Sequence, residues 1–263
     1  AFLVACGIMF VLYKIFSYAP FGENYLASMD AYYQYLDFFA YLKDILSGNN
    51  EIGYTFGKTL GGNNVAVFSY YLTSPFNFLV VFFDKAYLHI FFQLLIVLKI
   101  GASAAAFCWF LRGRFHGMLQ PGLVLLLSVS YALSQYNIAQ SSNIMWLDGV
   151  YMLPFILLGV YKLVREKKVA FLSVSVGLCI VFNWYSGGMN CLFSILWFLF
   201  EMAYYLLDGS SCSWKKRIQT IIMTGIRYVI AMILGVLLSA ALFWPTVKAL
   251  QGGRASFDWQ LLT

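Results

Sequence analysis

Residues 87 to 111, "YLHIFFQLLIVLKIGASAAAFCWFL", hold one charged side chain. A helix of about 25 residues rises roughly 37 Å, enough to cross a hydrocarbon core roughly 30 Å thick. Inside lipid every backbone N–H and C=O must find its partner within the segment, so such a run folds as a helix. Further apolar runs at about 2–19, 118–136, 150–164, 169–185, 190–207 and 219–243 repeat the pattern. The chain therefore reads as an all-α polytopic membrane protein with about seven transmembrane helices. Charged residues make up 11% of the sequence, against roughly 25% in a soluble domain, which excludes an ordinary water-soluble fold.

The net charge of +6 would suggest nucleic acid in a soluble protein. Here the cations fall in clusters at the ends of apolar runs, so no nucleic-acid partner is expected and the lipid bilayer is the surround. The clusters "RGRFH", "KLVREKK" and "WKKR" follow the second, fourth and sixth runs, and the positive-inside rule assigns their shared side to the cytoplasm. The N-terminus is then cytoplasmic. The other side receives residues 20–86 as a long first extracytoplasmic loop, then "NIAQSSNIMWLDG", "NWYSGGMN" and the tail after Trp244. Ala1 lies inside an apolar run without the charged leader of a signal peptide. Residues 1–263 read as one N-terminal transmembrane module, a piece of a longer chain. The five cysteines show no metal spacing and read as free thiols.

Within the first loop, "AYYQYLDFFAYLKDIL" places Tyr32, Tyr35, Phe39, Leu42 and Leu46 at helical spacing, an aromatic stripe suited to the membrane interface. After "GGNN" comes "VAVFSYYLTSPFNFLVVFF", where Pro75 breaks an apolar run into a short interfacial or re-entrant helix pair. Asp30, at the head of the first stretch, reads as a helix N-cap. A carboxylate there could equally serve as a general base toward a hydroxyl. Asn143, Trp146 and Asp148 read either as an interfacial belt with a solvated acid or as a second carboxylate facing the same cavity. Asn183, Tyr185 and Asn190 surround a glycine pair and read as a turn. Lys248 and Arg254, cations on the outer side, suit a phosphate. The loop carboxylates permit a divalent cation without requiring one, and no Walker, HExxH, GxSxG or Rossmann pattern is present.

The stretches "DAYYQYLDFFAYLKDIL", "TFGKTLGGNNVAVFSYYLTSPFNFLVVFF", "SSNIMWLDGVYMLPFILLG", "NWYSGGMNCLF" and "LLSAALFWPTVKAL", in that order, resemble the YfhO family of bacterial membrane proteins. The resemblance implies a GT-C type glycosyltransferase: a helix bundle with interfacial helices in the first extracytoplasmic loop and an acidic residue near the end of the first span. It implies a polyprenyl-phosphate-linked sugar as donor and teichoic or lipoteichoic acid as acceptor, at the outer face of the bacterial cell membrane. On the residues, Asp30 with Gln34 and Tyr35 matches the family's Asp-x-x-x-Gln-Tyr and becomes the catalytic base. Asp148 closes the Asn-x-x-Trp-x-Asp stretch that begins at Asn143, and Arg254 is the Arg after the last span. With Asn183, Tyr185 and Lys248 these form the expected substrate-binding set. Two rivals stand beside it: a transporter or flippase of lipid-linked sugars, and a non-catalytic scaffold of a glycosylation complex. The spans carry few ionisable residues (Lys14, Lys99, Glu201 and Arg227), which weighs against coupled transport.

Overall fold

A computed structural model describes residues 1–57, 61–208 and 214–251. The apolar runs become α1 (Phe2–Ile15), α4 (Leu88–Phe115), α5 (Pro121–Ala132) with its short continuation α6 (Gln135–Ala139), α7 (Trp146–Glu166), α8 (Ala170–Phe182), α9 (Trp184–Asp208) and α10 (Trp214–Gln251). Between α1 and α4, a π-helical turn (Ala31–Tyr35) runs into α2 (Leu36–Leu46). Two short strands then pair, β1 (Tyr54–Thr55) with β2 (Gly62–Asn63) antiparallel, Tyr54 opposite Asn63. Next come α3 (Val65–Val67), continued by a π-helical turn (Phe68–Leu72), and a 3-10 helix (Pro75–Phe82), the two arms bent by 91°. That angle is the geometry of a broken span or a re-entrant loop.

Among the described residues, five helices are long and apolar enough to cross a membrane, or six if the bent pair counts as one span. α1 and α8, expected to cross unaided, have 14 and 13 residues and fall short of a full crossing. Several boundaries move, two of them for evident local reasons. α1 stops at Ile15, before Ser17 turns left-handed at φ 53°. α9 begins at Trp184 and not at 190, because the Oδ1 of Asn183 accepts the Ser186 backbone N–H at 2.7 Å and caps the helix.

α4 and α7 form the centre. They bury 61% and 78% of their most apolar stretches, against 22%, 17% and 22% for α5, α9 and α10. The outer helices leave Leu192, Leu196, Leu237 and Leu238 exposed, an apolar face suited to hydrocarbon. α8 and α10 cross where small residues let backbones meet: a Cβ on Gly235 would come within 2.6 Å of the Val176 side chain, and one on Gly177 within 3.0 Å of the Gly235 carbonyl.

Ion pairs tie one end of the bundle. Arg114 near the end of α4 holds Glu201 of α9 at 2.6 Å, and Arg165 of α7 holds Asp208 of α9 at 2.9 Å. The segment between α1 and α4 packs at the opposite end, where Asn183 Nδ2 donates to the Tyr70 carbonyl at 2.8 Å.

α2 departs from the expected interfacial stripe. Tyr35, Phe39 and Leu42 are buried, and Phe39 packs edge-on against Phe91 of α4 with ring centroids 5.4 Å apart. Tyr32 and Leu46 point outward. The stripe thus docks onto the bundle. The turn at "GGNN" has its own work: Asn63 Oδ1 accepts the Val65 N–H at 2.8 Å and starts α3, while a side chain at Gly61 would overlap the Tyr54 hydroxyl.

Candidate functional site

Asp30 sits exposed just before the π-helical turn, following Met29 at φ 48°. Its own backbone is already helical (φ −58°, ψ −32°) and its side chain makes no cap bond. The N-cap reading is corrected on that ground, since a cap residue needs an extended backbone to aim its oxygen at the helix N–H groups. Gln34 Nε2 donates to Asp30 Oδ1 at 3.5 Å, one helical turn on. The carboxylate is otherwise open to whatever approaches from outside.

Tyr35 follows on the buried side. Its hydroxyl donates to Asn143 Oδ1 at 3.2 Å, and Asn143 Nδ2 donates to Gln140 Oε1 at 2.8 Å. Burial pushes the Tyr35 hydroxyl well above its ordinary pKa, with Tyr71, Asp30 and Tyr70 adding to the rise. It therefore remains a neutral donor at physiological pH. The pattern Asp30, Gln34, Tyr35 is thereby bound to the α6–α7 connection, 108 residues away in sequence.

From Tyr35 an aromatic wall extends across the same end of the bundle. Tyr35 packs on Tyr71 at 5.2 Å, Tyr71 on Tyr70 at 4.6 Å, and Tyr70 on Trp184 at 5.7 Å and Tyr185 at 6.3 Å. The Trp146 indole donates to the Tyr70 hydroxyl at 3.0 Å. Beside this wall, between the α5–α6 corner and the first turns of α7 and α9, opens a cavity of about 430 Å³.

Asp148 lies elsewhere. Expected either as a solvated loop acid or as a second carboxylate facing the Asp30 cavity, it stands in the first turn of α7 at 1% exposure. Lys99 of α4 donates to its Oδ2 at 2.8 Å and to the Ile144 carbonyl at 3.0 Å, and Ser74, at the break of the bent pair, donates to its Oδ1 at 2.6 Å. Lys99 is 0% exposed. A buried ammonium needs a buried counterion, and Asp148 supplies it to Lys99. Lys99 lies about 17 Å along α4 from its start. Its partner is in the first turn of α7, so α7 begins roughly level with the middle of α4.

The other expected residues divide. Asn143 joins the Asp30 group through Tyr35, and Tyr185 lines the cavity. Asn183 is 0% exposed, with its amide used in capping α9 and in reaching the Tyr70 carbonyl, so it forms a structural corner. Lys248 is exposed in the last turn of α10, 5.5 Å from the Trp244 ring, and pairs with no described carboxylate. Arg254 lies outside the described residues. Among the described residues no three His, Cys, Asp or Glu side chains converge on a metal position. Sequence reasoning passed over Tyr70, Tyr71 and Ser74. The signal was available in "SYYLTSP", polar side chains bunched in front of the proline that breaks an apolar run.

The family model described as bacterial membrane protein YfhO matches residues 1–262, and the chain belongs to that family. No curated protein and no solved structure matches it.

Proposed function

We propose that this YfhO-family protein is a GT-C type glycosyltransferase, moving a sugar from a polyprenyl-phosphate donor to a hydroxyl of a cell-envelope acceptor such as teichoic or lipoteichoic acid. The observation that carries the reading is Asp30: an exposed carboxylate, steadied by Gln34 and backed by the buried Tyr35, on the loop segment that packs against the end of the bundle. The donor's lipid tail lies along the apolar outer helices, and its phosphate meets Lys248 or Arg254. Asp30 takes the proton of the acceptor hydroxyl as that oxygen bonds to the anomeric carbon. The bond from that carbon to the phosphate oxygen breaks, and the configuration inverts. The departing lipid phosphate carries the electron pair, and cationic neighbours offset its charge, so no separate general acid is needed.

The cation-rich end, with Arg112, Arg114, Lys162, Arg165, Lys167 and Lys168, is assigned to the cytoplasm by the positive-inside rule. Asp30 then faces outward, where a lipid-borne donor and a water-borne acceptor meet.

The test is transfer by the purified full-length protein in proteoliposomes, given a polyprenyl-phosphate hexose and teichoic acid, with product read by mass. Asp30→Asn is expected to lower the rate by about 10²–10⁴-fold, the usual contribution of a positioned general base. Near-wild-type transfer by an inserted, folded Asp30→Asn protein would remove Asp30 from its role. Movement of the lipid-linked sugar between leaflets with no covalent product would replace the enzyme by a transporter.

A further inference from the structure

We propose that the cavity between the α5–α6 corner, α7 and α9 is a subsite for a pyranosyl ring, an inference that rests on the sugar-transfer reading above. Its walls combine two chemistries. Tyr136, Trp146 and Tyr185 supply aromatic faces, and Ser134, Asn137 and Ser186 supply small polar groups. A pyranose has the matching shape, with apolar C–H faces that lie on aromatic rings and a rim of hydroxyls that need partners. The volume of about 430 Å³ falls in the range of small-molecule sites, roughly 300–1,000 Å³.

Asn137 points to a ligand independently. It is 1% exposed, and its Nδ2 is fully used, donating to the carbonyls of Tyr131 at 3.1 Å and Ala132 at 2.9 Å. Its Oδ1 is buried with no hydrogen-bond partner among the described residues. Buried acceptors are nearly always satisfied, and this one, in the largely apolar wall of the cavity, lacks a donor. A sugar hydroxyl is such a donor; a lipid chain is not. Tyr136 and Tyr185 remain 53% and 47% exposed, so their rings are not consumed by the core. The Trp146–Tyr70–Tyr71–Tyr35 wall runs from this cavity to the segment that carries Asp30. The ring held here belongs to the donor or to a glycosylated acceptor, and the test separates the two.

The full-length protein in nanodiscs is titrated with prenyl-phosphate hexose, with prenyl phosphate alone and with methyl hexoside, following tryptophan fluorescence. Tyr136→Ala/Tyr185→Ala removes two rings that make no side-chain hydrogen bond among the described residues. Ser134→Phe fills the cavity and removes none. The wild type is expected to prefer prenyl-phosphate hexose to prenyl phosphate, and each variant to lose about tenfold of that preference with its affinity for prenyl phosphate unchanged. That result assigns the donor's ring. If only methyl hexoside binding is lost in the variants, the subsite holds and the ring is the acceptor's. Variants that bind every probe like the wild type overturn the subsite, as does a wild type that binds no hexose in any form. Transfer by Asp30→Asn is scored separately, so the catalytic reading can fail while the subsite stands.

Discussion

Asp30 and Asp148 both stand at the head of a helical segment, each just ahead of an aromatic, helix-forming stretch. Asp30 is exposed and holds one long contact from Gln34, whereas Asp148 is 1% exposed and takes hydrogen bonds from Lys99 and Ser74. Desolvating a carboxylate is costly unless a counterion and hydrogen bonds replace its water. Asp148 has both, and in exchange it joins α4, α7 and the break of the bent pair. Asp30 keeps its water and can exchange it for a substrate. A carboxylate already satisfied by the fold is a poor base, and an unsatisfied exposed one is a poor anchor.

The sharpest way to break this contrast is to strand the buried acid. Lys99→Met leaves Asp148 without its counterion and is expected to destabilise the folded protein by about 3–5 kcal/mol. Lys99→Met with Asp148→Leu removes both charges and is expected to recover most of that loss, read by denaturant unfolding in bicelles. A double variant no better than the single one would show that the pair does more than compensate its own burial.

How much of this was legible in the sequence follows from how far apart the partners lie. The helices were legible because hydropathy is a local property: each expected apolar run contains a helix, although α1 and α8 are too short to cross. The break at Pro75 was legible for the same reason. The start of α9 was missed because "NWYSGGMN" carries turn residues, and only the cap by Asn183 turns the glycine pair helical. Asp148 was misread because its counterion is 49 residues away. A lone lysine in an apolar span was itself the clue, since such a charge requires a partner. Asp30, Gln34 and Tyr35 were legible as a group because they lie within five residues, but the Asn143 bond that fixes them was not.

That bond gives the next test. Tyr35→Phe keeps the ring against Tyr71 and removes only the hydroxyl that reaches Asn143. Asn143 retains Gln140 as a partner for its amide nitrogen, so the fold is expected to weaken by about 1 kcal/mol, the ordinary net value of one hydrogen bond. The transfer rate should fall more than stability does if the bond positions the Asp30 segment. Loss of stability with no change in rate would reduce Tyr35 to a packing residue.

The smallest structural effect belongs to the residue with the largest expected chemical one. Asp30→Asn keeps the shape of the side chain, and the acid it replaces makes no cap bond and, among the described residues, no ion pair. Its unfolding midpoint should therefore match the wild type within error, measured in the same bicelles as Lys99→Met, while sugar transfer collapses. This combination separates a base from an anchor: an anchor loses stability and activity together, and a base loses activity alone. If Asp30→Asn unfolds as readily as Lys99→Met, the carboxylate holds the loop in place, and the base must be sought among the other acids of the loop between α1 and α4.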